Sequence, residues 1–226
     1  MHMKTSEELQ KDVMEELIWN PLLRDVYTQI GVSAKDGVIT LSGLVDTYTK
    51  KLATERAAQH VQRVRVVACD VEVKVTGFGK RIDTEIAEAV RNALRWNSAV
   101  DEDKIEMTVD NAWVFIDGSV DWEYQNNSAQ NSVENLLGVK GVTSSITIKS
   151  KTIDVKDIKD KIMKAFQRNA TIDASSIKLE SSGSRVSLSG TVRSWIEKEE
   201  AEKIAWSSPG VLSVDNRIEI ETEVLA

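Results

Sequence analysis

Val186-Ser187-Leu188-Ser189-Gly190-Thr191-Val192 alternates apolar and polar residues up to a glycine, the pattern of a strand with one face against a core. The same run occurs twice more, as Ile39-Thr40-Leu41-Ser42-Gly43 and as Val114-Phe115-Ile116-Asp117-Gly118. The three glycines lie 75 (118 − 43) and 72 (190 − 118) residues apart. A regular recurrence of this kind marks copies of one supersecondary unit. Thirteen residues before each glycine stand Ile30, Ile105 and Ile177, and twenty-one after it stand Val64, Val139 and Val211. Further on, Val67, Val71 and Val73 align with Val142, Ile146 and Ile148 and with Val214, Ile218 and Ile220. One length change breaks the register: Asn20 to Ile30 spans ten steps, whereas Asn97 to Ile105 and Asn169 to Ile177 span eight. A loop is expected to absorb it.

Working outward from the glycine, each copy opens with apolar residues four apart: Leu9, Val13 and Leu17, then Ile86, Val90 and Leu94, then Ile158, Ile162 and Phe166. Charged residues fill the gaps, which predicts an amphipathic helix. It ends near Asn20, Asn97 and Asn169, and asparagine is expected to close it in the left-handed conformation. Two strands follow, joined by Lys35-Asp36-Gly37, Asp110-Asn111 and Ser182-Gly183-Ser184, a hairpin pattern. A second helix follows the glycine and stops at Gly138 and Pro209-Gly210 before a third strand. That strand reaches the sheet only through a helical crossover, so it pairs in parallel. The expected fold is α+β: three tandem modules over 5–75, 80–149 and 153–222, each α-β-β-α-β, with a three-stranded mixed sheet covered on one face by two helices.

The chain has 226 residues, 41% hydrophobic and 29% charged, with a formal net charge of −7. Duplex nucleic acid needs clustered cations, and this balance excludes it as the main partner. The middle copy is the acidic one: 76–149 hold 7 basic and 12 acidic side chains, against 9 and 11 in 7–75 and 12 and 13 in 150–226. Cys69 is the only cysteine, read as a half-buried strand residue. The residues before Leu9 carry no apolar core and no cleavage site, and no apolar run approaches a membrane span. The expected compartment is cytoplasmic, or periplasmic if a leader has been removed.

The signature Val-x-Leu-x-Gly-x-Val followed by Gly-Val-x-x-Val-x-Asn-x-Ile stands here as Val186 to Val192 and as Gly210 to Ile218. It resembles the BON domain, named from bacterial osmotic-shock and nodulation proteins. The third copy matches best, through Gly190, Gly210 and Asn216. The second keeps Gly118 and Gly138 and has Ser144 in place of the asparagine. The first keeps Gly43 but has Arg63 at the second glycine and Cys69 at the asparagine. The resemblance implies non-enzymatic proteins of envelope and osmotic stress that contact phospholipid surfaces or other macromolecules. A cytoplasmic relative that pairs this domain with a different module binds potassium.

The residues point to no catalytic constellation. His2 and His60 have no metal-ligand partner at useful spacing, no nucleophile sits beside a base, and no phosphate-binding glycine run exists. The acids Asp101, Glu102, Asp103, Glu106 and Asp110 do not match a calcium loop and read as solvated. No cofactor is expected. The strand before Gly118 places Trp113 and Phe115 on the side its helices leave open, where they are expected to pack on a neighbouring module or to form a partner or oligomer surface. Trp122 and Trp195 fall near the start of a second helix, as core or as surface. Lys50, Lys51 and Arg56 in the first copy and Lys156, Lys159 and Lys164 in the third are candidates for anionic lipid head groups, although ordinary helix charge patterning favours a solvated face. The expected function is non-catalytic: a stress-response binding protein contacting phospholipid or macromolecular partners, with a monovalent cation sensor or an oligomeric scaffold as alternatives.

Overall fold

The computed structural model describes residues 5–149, 158–169 and 172–221. Its elements follow the repeat. The first module runs α1 (Ser6–Trp19), β1 (Ile30–Lys35), β2 (Val38–Val45), α2 (Tyr48–His60) and β3 (Val66–Val73). The second runs α3 (Asp83–Trp96), β4 (Ile105–Asp110), β5 (Trp113–Val120), α4 (Glu123–Glu134) and β6 (Gly141–Ile148). The third runs α5 (Ile158–Arg168), β7 (Ile177–Ser182), β8 (Arg185–Val192), α6 (Trp195–Trp206) and β9 (Ser213–Ile220). The sheets are ordered β1-β2-β3, β4-β5-β6 and β7-β8-β9, with the glycine-ended strand in the middle of each. β4–β5 and β7–β8 are antiparallel, and β5–β6 and β8–β9 are parallel, so the sheets are mixed, as the crossover requires.

The thirteen-residue spacing now has a geometric reason. Ile30 faces Gly43 across the ladder, Ile105 faces Gly118 and Ile177 faces Gly190, with six residues out, a two-residue turn and six back. The three glycines have φ of +131°, +139° and +124°. A Cβ on any of them would collide with the carbonyl oxygen of the residue leading into the first strand: Gln29, Lys104 or Ser176. Both constraints exclude a side chain. The longer connection in the first module is taken up by two short 3-10 turns, Pro21–Leu23 and Tyr27–Gln29, with Leu23 of the first and Val26 just before the second buried.

The helical stripes bury as the periodicity predicts. Leu9, Val13 and Leu17 on α1, Ile86, Val90 and Leu94 on α3, and Ile158, Ile162 and Phe166 on α5 are all buried. In the middle module they meet Val114, Ile116 and Val120 of β5 and Ala129 and Val133 of α4. In the third they meet Val186 and Leu188 of β8 and Ala201 and Ala205 of α6. Fully burying such a side chain contributes about 1.5–3 kcal/mol. The asparagines close the first helices by other means than expected. Asn20 and Asn97 are extended (φ −76°, ψ 117° and φ −84°, ψ 105°), not left-handed. Their side chains stay useful: Asn97 Nδ2 donates to Ser128 Oγ and Ser132 Oγ at 2.8 Å, and Asn169 Nδ2 donates to Glu200 Oε1 at 3.0 Å. Asn97 and Asn169 therefore pin the end of a first helix to the second helix of their module, whereas the Asn20 side chain accepts from Leu22 N at 3.0 Å and caps the following turn.

Two compact units emerge from the packing. One contains 1–43, 53–70 and 152–226, joining most of the first module to the third; the other contains 44–52 and 71–151, the middle module with the rest of the first.

Candidate functional site

Within the first unit, two modules meet along α6 and the start of β3. Arg63 N donates to Arg193 O at 3.3 Å. Trp195, the first residue of α6, donates its indole N–H to Arg65 O at 3.2 Å, and the Lys198 ammonium lies 5.2 Å from its ring centroid, within cation–π range. Beside this seam opens a cleft of about 580 Å³. Its apolar lining is Val66, Val67, Trp195, Ile218 and Ile220; its polar lining is Glu55, Gln59, Arg65, Lys198 and Glu219. Two cations and two carboxylates thus share the lining with five apolar residues. Nearby on α6, Glu199 has its carboxyl pushed above the ordinary glutamate value by burial, while Arg56 and His60 pull it down and Glu202 and Glu55 push it up.

The position of the second signature glycine explains part of this seam. Gly138 and Gly210 have φ of +95° and +91°, and Arg63 stands at the same point of the first module with φ +73°. A non-glycine residue there costs about 1–2 kcal/mol. The departure of the first copy from the signature therefore falls where its backbone joins the third module.

Asn216 is a structural bridge from β9 to α6. Its Nδ2 donates to Lys198 O at 3.3 Å and to Glu202 Oε2 at 2.8 Å, and its Oδ1 accepts from Ile218 N at 3.2 Å. The middle module inverts the arrangement: Ser144 on β6 donates its hydroxyl to Asn126 Oδ1 on α4 at 3.2 Å. The long amide has moved from strand to helix. Cys69, at the same point of β3, is half-buried.

Trp113 and Phe115 are 41% and 44% exposed. The Trp113 ring lies over Gly141 of its own sheet, so close that a Cβ there would sit 2.6 Å from the ring, and its indole N–H donates to Thr143 Oγ1 at 2.9 Å. The adjacent strand β6 thus supplies packing for one side of this ring. Trp122 is half-buried before α4, where Gln125 Oε1 accepts from Asp121 N at 3.0 Å and Trp122 N at 3.1 Å. Lys50 pairs with Asp46 at 2.9 Å; Lys51 is half-buried; Arg56 is exposed on α2. Lys159 and Lys164 are exposed on α5, whereas Lys156, His2 and the 150–152 junction lie outside the described residues. Among the described residues, no group of three or more His, Cys, Asp or Glu is placed to hold a metal ion, and no helix is long and apolar enough to cross a membrane.

The model of the BON domain family matches residues 5–75, 82–150 and 154–222. The chain belongs to the BON family. No curated protein matches it. Among solved structures, it is similar to the C-terminal domain of CdsD, the structural protein of the type III secretion system of Chlamydia trachomatis, at 13% identity over 97% of this chain and all of that one, with a TM-score of 0.25. A second CdsD structure gives 14% identity over 96% and 94%, with a TM-score of 0.25. The PrgH periplasmic domain gives 10% over 86% and 96%, with a TM-score of 0.21. Scores of this size carry no argument. The BON membership rests on the three matches and on the glycine geometry they share.

Of the functional features, the cleft was the one least visible in the sequence. Its walls come from residues 130 apart at Arg65 and Trp195. The signal that existed was the arginine standing where this BON copy should have had glycine.

Proposed function

We propose that this tandem BON protein is a non-catalytic binding protein that contacts phospholipid surfaces in osmotic or envelope stress, with the cleft beside Trp195 as its seat. The observation that carries the reading is the combination, in one lining, of apolar side chains with Arg65 and Lys198 on one hand and Glu55 and Glu219 on the other. An acyl chain suits the apolar side chains, and a phospholipid head group carrying a phosphate, with or without an amine, finds opposite charges in the same lining. Exposed Lys159, Lys161 and Lys164 on α5 add cations for an anionic surface, each worth about 1 kcal/mol when close to it.

Vesicle flotation of the full chain at low salt tests this, with zwitterionic vesicles and vesicles containing anionic lipid. The protein is expected in the floating fraction, and Trp195→Ala is expected to reduce that fraction several-fold. Its absence from both floating fractions rejects the reading.

A further inference from the structure

The open face of the middle sheet has a chemistry that the lipid reading does not use. Strand alternation and the ladder register set its side chains in rows across β4, β5 and β6: Asp110, Trp113 and Gly141; then Thr108, Phe115 and Thr143; then Glu106, Asp117 and Ser145. Their buried counterparts Val114 and Ile116 face the helices. Two aromatics two residues apart on the central strand stand about 7 Å from each other along it. Trp113 is held flat against its own sheet by the bond to Thr143. The Trp113 ring is therefore preset, and Phe115 stands 44% exposed beside it.

Charge decides what can lie on them. All three charged residues in these rows are acidic, and among the described residues no Lys or Arg pairs with Glu106, Asp110 or Asp117. The cation just before β4, Lys104, is engaged with Asp101 at 3.6 Å and Asp121 at 3.7 Å. A phosphate-bearing surface is repelled by this face. Cationic side chains are attracted twice, by the carboxylates and by the negative faces of the rings.

We infer that this face docks a Lys- or Arg-bearing polypeptide segment, whose cationic side chains stack on Trp113 and Phe115 while Glu106, Asp110 and Asp117 take up the charge. The docking is independent of the cleft and of lipid.

Titration of the full chain with an oligolysine decapeptide, followed by calorimetry and by NMR shifts of the indole N–H signals, tests the inference. Binding is expected at low salt, with the Trp113 indole signal moving and an oligoglutamate decapeptide giving no response. Phe115→Ala leaves every hydrogen bond described above in place and is expected to weaken oligolysine binding about three- to tenfold. Glu106→Gln with Asp117→Asn is expected to do at least as much. Two results overturn the inference. If the carboxylate variant loses binding while Phe115→Ala keeps wild-type affinity, the attraction is diffuse charge and not this platform. If light scattering shows a dimer that Phe115→Ala dissociates, the occupant is a second copy. Flotation of Phe115→Ala with vesicles is expected to match wild type, so a failure here is separable from a failure of the lipid reading.

Discussion

The cleft beside Trp195 and the aromatic face around Trp113 are both surfaces of the same repeated unit, yet they are built differently. The cleft needs two modules, since Arg65 and Val66 come from one and Trp195 and Lys198 from another. The aromatic face needs only one sheet, since everything on it comes from β4, β5 and β6. One surface is a property of how copies meet, the other of how a single copy has diverged. At the position of Trp113 and Phe115 the other copies carry Val38 and Thr40, and Arg185 and Ser187, so the face is a local acquisition on a common frame.

The largest expected effect separates the two surfaces outright. Gly190→Ala in the third module and Gly118→Ala in the middle one each force a Cβ into a carbonyl oxygen at a positive φ. Each is expected to destabilise its own module by more than about 3 kcal/mol in denaturant titration. Gly190→Ala should abolish flotation and spare oligolysine binding, and Gly118→Ala should do the reverse. If either variant removes both activities, the two surfaces are not independent.

A smaller effect is expected at the hairpin that carries the aromatic face. Asp83, at the start of α3, accepts from Asn111 N at 2.9 Å and from Ala112 N at 2.8 Å, holding a turn in which both residues have positive φ. Asp83→Ala leaves those amides without their carboxylate, a loss of about 2 kcal/mol by thermal or chemical melting. Oligolysine binding should fall with it, because the turn sets the start of β5.

Smaller again is the contrast between the strand-to-helix bridges. Asn216→Ala removes three hydrogen bonds and Ser144→Ala two long ones, to Asn126 at 3.2 Å and from Ile146 N at 3.5 Å, so about 1–2 kcal/mol is expected for the first and under about 1 for the second. Equal losses would mean that the amide and the hydroxyl are not equivalent parts of the same device.

The smallest effect concerns pH and belongs to the cleft side alone. Burial raises the Glu199 carboxyl above the ordinary 4.5, so between that value and its folded value the native state holds a proton that the unfolded chain has released. Stability from this group therefore falls as pH rises through the window just above 4.5 and returns as pH drops back. Glu199→Gln should remove that slope and raise the melting temperature slightly at neutral pH. A variant less stable than wild type at neutral pH would show that Arg56 and His60 outweigh burial.

The fold was legible because its determinants are local and recur. Ile177 and Gly190 are a fixed distance apart through a two-residue turn, and the four-residue spacing of Ile158, Ile162 and Phe166 appears in every copy. Placement of the helix ends at Asn20 and Asn97 was legible too, but not their conformation. Asparagine has both a tolerance for left-handed backbone and a side chain able to bond elsewhere, and residue type alone does not say which is used. The exposure of Trp113 followed from alternation, whereas its rest on Gly141 depended on a strand nearly thirty residues away. The cleft was illegible for a stronger reason. Nothing in 195–206 encodes the proximity of Arg65; only the packing of one copy on another brings them together.

The carbonyl that crowds each of Gly43, Gly118 and Gly190 has a consequence for how such a chain can change. It ties the register of the hairpin to a single atom-sized vacancy, leaving strand faces, helix exteriors and module seams unconstrained by that lock. A duplicated unit of this design can exchange its outward residues wholesale, acquiring a tryptophan in one copy and an arginine in another, and still close in the same way.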